Sequence, residues 1–270
     1  MKPILKWPGG KRQLMPEILR RLPESWGTYF EPFFGGGATF FELSSQGRIV
    51  SAVVGDVCLE LVETYRAVRD DPQLVSDLLE EHERKHDEAY YYETRSARPD
   101  GGAELAAWFL FINRAGFNGL FRVNRAGRCN VPWGKRKRLG LPTAATLQAA
   151  AVALHGVGIE RMDFEVACEL AEPGDLVYCD PPYLNPTNGK GGFVSYSSDG
   201  FGERDHERLA LAFWDLVDRG VFAIVHNADC PLARDLYAGA TIDVVQGRRA
   251  INRSGAGRGP VAELIVTPPR

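Results

Sequence analysis

Apolar residues along this chain follow two rhythms: short β-branched and aromatic runs, and longer stretches at helical spacing. Residues 26–35 read as a strand around Tyr29 and Phe30 that runs into Phe33-Phe34-Gly35-Gly36-Gly37. Ala38 to Ser44 has a helical pattern, and Ile49-Val50-Ser51-Ala52-Val53-Val54 is a second apolar run ending at Gly55-Asp56. Strand, glycine loop, helix, strand and acid in that order predict the opening of a doubly wound α/β sheet. From about 58 to 113 the spacing turns helical, with Leu59, Val62, Tyr65 and Val68 on one face and breaks at Pro72 and Gly101-Gly102. Residues 114–140, rich in Gly, Asn and Arg, predict a hairpin-bearing loop region, and Thr143 to Leu154 a helix. The α/β rhythm then resumes, with a strand at 175–179, a helix at 203–219 and a strand at 221–225. An antiparallel pair from 242–245 and 263–267 closes the chain. The simplest architecture is an α/β domain interrupted by a mostly helical insert at roughly 57–142.

Composition supports a substantial core: 44% of the 270 residues are hydrophobic and 25% charged, with no signature of disorder. No apolar run is long enough to span a bilayer, and the stretch Met1 to Trp7 lacks the apolar segment of a signal peptide. The five cysteines, Cys58, Cys129, Cys168, Cys179 and Cys230, form no CxxC pair. That speaks against a zinc site or a disulfide framework, so no metal is expected, and it suits a reducing cytoplasm.

The net charge of −3 hides an uneven distribution. Between Glu104 and Glu160 there is no acid, while Arg114, Arg122, Arg125, Arg128, Lys135, Arg136, Lys137 and Arg138 all fall there. A second acid-free stretch, between Asp243 and Glu263, holds Arg248, Arg249, Arg253 and Arg258. A basic run is often only a solvated face. Two long stretches without a single acid point further, to a polyanion partner.

Two motifs carry chemistry. In the first, Gly35-Gly36-Gly37 sits where a strand meets its helix, so the backbone can approach a ligand closely. About twenty residues on, Asp56 ends the next strand, where a carboxylate can accept from both ribose hydroxyls of an adenosine cofactor. Dinucleotide and S-adenosylmethionine enzymes share this layout, and a structural turn with a capping Asp is the plainer alternative. The absence of GxGxxG disfavours a nicotinamide cofactor. In the second motif, Asp180-Pro181-Pro182-Tyr183 follows the strand 175–179. Its prolines stiffen the backbone and remove two amide donors. Asp180 and a carbonyl of the proline region can then take the two hydrogens of an exocyclic amine, and Tyr183 offers a face for stacking a base.

On these residues the chain resembles the Dam family, the D12 class (alpha group) of DNA adenine-N6 methyltransferases. Lys6-Trp7-Pro8-Gly9-Gly10-Lys11 is similar to its N-terminal cofactor motif, Glu31 to Gly37 to its glycine loop, and Gly55-Asp56 to its ribose-binding acid. Asn113 to Arg122, followed by Asn130-Val131-Pro132-Trp133-Gly134, resembles its DNA-reading segment, and Asp180 to Tyr183 its catalytic tetrapeptide. The closing motif is matched by Arg248-Arg249-Ala250-Ile251-Asn252, Arg258 and Glu263-Leu264.

The resemblance implies a Rossmann-like S-adenosylmethionine-dependent methyltransferase sheet. Its catalytic domain would comprise 1–56 and 143–270, and 57–142 would form a target DNA-recognition subdomain. It also implies roles. Trp7, Lys11, Phe33, Gly35, Gly37, Asp56, Asp163, Phe164 and Asp180 would hold S-adenosylmethionine, with Asp163 and Phe164 against its adenine. Asp180, Pro181, Pro182 and Tyr183 would hold the target amine. Phe117 would wedge the stack beside a flipped base, and Asn118, Leu120, Arg122 and Pro132 would lie against base edges. Lys6 would also reach DNA, and charge alone suggests phosphate contacts for Lys135 to Arg138.

Plainer readings stay open at two places. Asn118-Gly119 also fits a type I′ hairpin turn, and Phe117 and Trp133 also fit core packing. Residues 184–202 match the family poorly, and His226-Asn227-Ala228-Asp229 is assigned no role. The implied reaction is methyl transfer to adenine N6 in duplex DNA, within GATC, by base flipping and direct attack, in a cytoplasmic monomer of bacterial, phage or plasmid origin. An associated restriction enzyme is compatible with it. Two alternatives are a methyltransferase of the same fold acting on cytosine N4, an RNA base or a protein amide, and a DNA-binding module without activity.

Overall fold

In the computed structural model, residues 3–184, 200–248 and 260–270 are described. After a short helix α1 (Met15–Leu19), the first apolar run forms β1 (Thr28–Glu31), α2 (Ala38–Ser45) and β2 (Ser51–Asp56). Strand β1 is shorter than 26–35 because Pro32 follows it and has no amide to continue the ladder. The helical stretch divides into α3 (Leu59–Asp70), α4 (Pro72–Lys85), α5 (Glu88–Ser96) and α6 (Gly102–Ala115). Pro72 opens α4, where its missing N–H costs nothing, and Asp71 caps that helix by accepting from the Leu74 amide. A third break, not expected from the sequence, falls at His86-Asp87, where the Asp87 side chain accepts from the Tyr90 amide.

Beyond the loop region come α7 (Ala144–Leu154), β3 (Gly158–Arg161), α8 (Phe164–Leu170) and β4 (Leu176–Cys179). The chain then forms α9 (Glu203–Asp218), β5 (Phe222–Ala228), α10 (Pro231–Leu236), β6 (Thr241–Arg248) and β7 (Pro260–Thr267). The sequence reading missed β3 because it is an edge strand with only Ile159 buried, so it carries no apolar run.

The strands order as β3-β2-β1-β4-β5-β7-β6. Strands β1 to β5 pair in parallel, and β7 inserts antiparallel between β5 and β6. The expected closing pair is present, with Val244 opposite Leu264. Of the matched closing motif, residues 249–252 and Arg258 lie outside the described residues, as do 185–199 of the poorly matching stretch.

Alternation along the strands sorts the core into two. Tyr29, Leu176, Tyr178, Ile224 and Ile265 point to one face, where Phe40, Phe41, Tyr65, Trp108 and Phe111 of α2, α3 and α6 cover them. Phe30, Val177, Cys179, Val225 and Val266 point to the other, under Phe164 of α8 and Phe213 of α9. A largely parallel sheet needs both faces covered, and here the helices of the 59–115 stretch form part of one cover. The architecture is the mixed α/β fold expected. No helix among the described residues is long and apolar enough to cross a membrane.

Sheet order reverses between β1 and β4. From β1 the chain works outward through β2 and β3, then returns to β4 and works outward the other way. Connections leave β1 and β4 on opposite faces at such a point, and a crevice opens at their carboxyl ends.

Candidate active site

The carboxyl ends of β1, β2 and β4 bring the glycine loop, Asp56 and the Asp180 tetrapeptide to one edge of the sheet. Gly35 has φ +47°, and a Cβ there would stand 2.6 Å from Cδ1 of the Trp7 indole, so only glycine fits beneath that ring. Asp56 fastens the loop from below. Its Oδ2 accepts from the Gly35 amide at 3.1 Å and its Oδ1 from the Cys58 amide at 3.0 Å. Burial raises its pKa to about 6, against the pull of those amides. The Tyr65 hydroxyl donates to the Gly35 carbonyl at 3.0 Å and closes the other side. Asp56 therefore has a structural duty, as the plainer reading held. Each carboxylate oxygen still has acceptor capacity for a ribose hydroxyl.

Asp180 directly follows β4, and its Oδ1 lies 2.7 Å from Lys11 Nζ. Lys11 is 5% exposed and Asp180 18%, so the pair is withdrawn from water while the carboxylate keeps an opening. Burial pushes the Asp180 carboxyl up, while Lys11 opposes the shift and Glu263 adds to it. Lys11 also donates to the Gly9 carbonyl at 2.7 Å, and its ammonium lies 4.8 Å from the centre of the Tyr183 ring. The lysine that the resemblance gives to the cofactor is thus placed on the Asp180 carboxylate.

Asp163 and Phe164 lie at the start of α8. Asp163 caps this helix through the Glu165 amide and pairs with Arg208 at 2.9 Å. Phe164 is buried, stacks on Phe33 at 5.5 Å between ring centres, and has the Arg208 guanidinium over its ring at 4.9 Å. Phe33 also meets Phe201 edge-on at 5.5 Å. Phe33, Phe164 and Phe201 therefore form one aromatic cluster.

The expected DNA-facing residues gather around the loop after α6. Asn118 and Gly119 have φ +57° and +69°, and the Leu120 amide bonds back to the Phe117 carbonyl, which is the turn that Asn-Gly predicts. Phe117 is 49% exposed, which rules out the core-packing reading for it. Trp133 is half-buried and packs on His86 at 6.3 Å. Two isolated bridges, Gly116 with Trp133 and Val123 with Cys129, stand where a hairpin ladder was expected. Arg122 is exposed at the end of this loop, and its Nε donates to Asn130 at 2.7 Å. Pro132 and Lys135 are exposed, and Leu120 and Arg136 partly so.

Lys6, Arg114 and Arg136 form a cation cluster. Burial lowers the Lys6 pKa and both arginines lower it further, while burial and then Arg136 lower that of Arg114. Like charges held together destabilise the free protein and favour an anion beside them.

Lys6, Trp7 and Lys11 belong to one short N-terminal strap that touches all three parts of the site. The buried Asn113 side chain accepts from the Lys6 amide at 2.9 Å and donates to the carbonyls of Lys6 at 2.8 Å and Gly119 at 2.9 Å. Trp7 covers the glycine loop and Lys11 reaches Asp180.

Several polar residues at the site had no assigned role. Glu31 is buried and accepts from the Tyr29 hydroxyl at 2.8 Å. Burial holds its carboxyl well above the usual range, and the nearby Asp180 adds to this. Asn227, in the segment given no role, accepts from the Leu184 amide at 3.1 Å and so holds the end of the tetrapeptide. His206 packs beside Asn227 and the Pro182 carbonyl, its pKa pushed down to about 4 by burial. Glu263 accepts from the Tyr183 hydroxyl at 2.7 Å. One signal was readable for Asn227: a lone amide inside the apolar run Phe222–Ala228.

Comparison with known proteins agrees in kind. A family model described as D12 class N6 adenine-specific DNA methyltransferase matches residues 7–251. A Type II methyltransferase of Lactococcus lactis subsp. cremoris is 38% identical over 99% of this chain and 95% of its own length. The DNA adenine methylase of Vibrio cholerae is 33% identical, covering 97% of this chain and 94% of its own. That of Escherichia coli K12 is 31% identical over the same shares, 97% and 94%.

Proposed function

We propose, from the premise that this chain belongs to the family of D12 class N6 adenine-specific DNA methyltransferases, that it methylates adenine in duplex DNA, within GATC, from S-adenosylmethionine. The observation that carries this reading is Asp180: a withdrawn carboxylate at the point where sheet order reverses, with an aromatic ring beside it.

The residues present fit the cofactor. Gly36 of the glycine loop stays partly open, Asp56 offers carboxylate oxygens for a ribose, and the partly exposed Phe33, backed by buried Phe164, offers an aromatic face. When bound, S-adenosylmethionine supplies an electrophilic methyl group. The chain's own residues bind, orient and exclude water. Asp180 accepts one N6 hydrogen, and the Pro181 carbonyl is suited to the other because the Pro182 carbonyl faces His206. Both acceptors leave the nitrogen lone pair directed at the methyl. The target base reaches them only out of its stack, at a cost of roughly a few kcal/mol, least where Tyr183 receives it by stacking. Positioning and a fixed electrostatic field do the rest.

Incubating duplex DNA with tritiated S-adenosylmethionine tests the reading. Label in N6-methyladenine supports it, and label in N4-methylcytosine or none in DNA refutes it. The GATC assignment rests on the resemblance of residues 113–134. Arg122 is suited to guanine O6 and N7, with Asn130 fixing its guanidinium. Arg122→Ala is expected to lose roughly 1–3 kcal/mol of discrimination at one guanine, read from methylation rates on single-substitution sites.

Cofactor binding should depend on pH through Asp56. Its pKa is raised, so the carboxylate forms only as pH rises through about 6. The charged form is the better acceptor for ribose hydroxyls. Affinity for S-adenosylmethionine by calorimetry is therefore expected to rise between pH 5 and 7, and Asp56→Asn is expected to flatten the profile.

A further inference from the structure

Tyr183 is held from two directions. Its hydroxyl donates to Glu263 Oε2 at 2.7 Å, across 80 residues of chain. On one face of its ring the Lys11 ammonium lies 4.8 Å from the centroid. Lys11 is fixed in turn by Asp180 Oδ1 and the Gly9 carbonyl, both at 2.7 Å. Glu263 sits in the interior of the sheet, on β7, opposite Ala228 of β5 and Val245 of β6. Its backbone is thus set by ladders on both sides, and its side chain is half-buried. Asp180, Lys11, Tyr183 and Glu263 form an unbroken chain of contacts from the catalytic carboxylate to the sheet.

Two features need explaining. A second carboxylate beside Asp180 raises the energy of the charged site, since Glu263 pushes the Asp180 carboxyl up. A sheet-interior position flanked by Ala228 and Val245 would also take an apolar residue without that penalty. The contact with Tyr183 accounts for both. A tyrosine turns about two side-chain bonds, and a base stacks well only on a ring whose plane is fixed. With Lys11 over one face, the hydroxyl is a second handle by which the plane is set.

We propose that Glu263 is a positioning residue for methyl transfer: through the Tyr183 hydroxyl it fixes the ring against which the target adenine stacks, while Lys11 braces one face of the same ring. This inference rests on the reading of Asp180 to Tyr183 as the amine-holding site. It commits the base to the ring face opposite Lys11. It also makes the hydroxyl's contribution pass through Glu263.

The experiment is a double-mutant cycle on the full chain with duplex DNA and S-adenosylmethionine, using E263A, E263Q, Y183F and the double variant Y183F/E263A. Three quantities are read for each: the single-turnover methylation rate, the fluorescence of 2-aminopurine at the target position, and the thermal midpoint. Losing a hydrogen bond to a charged acceptor is expected to lower the rate about tenfold or more in E263A. Y183F should fall by a similar factor, with the double variant no slower than the slower single one. E263Q should recover most of the rate, because its amide oxygen still accepts from the phenol. The 2-aminopurine signal should drop in E263A, with cofactor affinity unchanged.

Losses that multiply in the double variant would overturn the proposal. So would an E263A enzyme whose rate is intact while its thermal midpoint falls, since that is a structural strut. If E263A does not fold, E263Q and Y183F decide: a fast Y183F refutes the proposal, and a slow Y183F with a fast E263Q upholds it. Asp180→Ala separates the two layers. An active Asp180→Ala enzyme refutes the reading of the site itself, whereas an inactive one beside multiplying losses refutes only the role of Glu263.

Discussion

Asp180→Ala is expected to leave a folded protein that transfers methyl groups at least roughly 10²–10³-fold more slowly, the scale set by removing one preorganised electrostatic contact. In the proposed reaction this carboxylate accepts from the target amine, and no other carboxylate stands directly after β4 at the order reversal. Removing it also strands the Lys11 ammonium, which is 5% exposed and paired with Asp180 at 2.7 Å. Breaking a withdrawn pair from one side destabilises, so a lower thermal midpoint should accompany the lost activity. Asp180→Asn resolves the two effects. It keeps the volume and one acceptor oxygen, so it should recover stability more than rate. Single-turnover kinetics beside thermal melts measure both, and an Asp180→Ala enzyme at full rate would remove Asp180 from the mechanism.

The second large effect is structural. Asn113→Ala deletes one acceptor and two donor contacts inside the protein, leaving the Lys6 amide and the carbonyls of Lys6 and Gly119 without their partner. At about 1 kcal/mol for each, the loss is about 3 kcal/mol, which lowers the thermal midpoint by several degrees in a chain of this size. The same change uncouples the strap from the loop that carries Asn118 to Arg122, so affinity for duplex DNA should fall with stability. Asn113→Asp is informative beside it. It keeps the acceptor for the Lys6 amide but sets a carboxylate against two carbonyls. Denaturant melts and DNA titration separate the two variants, and a wild-type midpoint in Asn113→Ala would show that the strap is held elsewhere.

What could be read from the chain was what the backbone demands locally. The glycine loop is legible because three glycines stand where an apolar strand meets its helix, Asn118-Gly119 because its turn needs two positive φ angles, and the tetrapeptide because two prolines after a strand allow few conformations. The break at His86-Asp87 is also local, an acid able to cap the next helix, but without Gly or Pro it carries no stop signal of its own. Glu31, Asn227, His206 and Glu263 were not legible in the same way. Asn227, His206 and Glu263 act on partners that only the tertiary fold brings near: Asn227 meets Leu184 across 43 residues, and Glu263 meets Tyr183 across 80. Glu31 bonds Tyr29 of its own strand, but the burial and the Asp180 charge that set its carboxyl come from the packed sheet. Their side chains alone do not announce that partner. The same holds for β3, whose place is fixed by β2 rather than by its own sequence.

The strap from Lys6 to Lys11 has a kinetic consequence. Its bond to Asn113 closes a loop of 107 residues, and loop closure of that length must follow the folding of what it encloses. A segment that bridges several elements can open as a unit while the sheet stays folded. Here one such opening would release the loop carrying Arg122, uncover the glycine loop and strip Lys11 from Asp180 in a single event. The free energy of that local opening then bears on the site as a whole, and such an opening would disassemble the site while the sheet stays protected from hydrogen exchange.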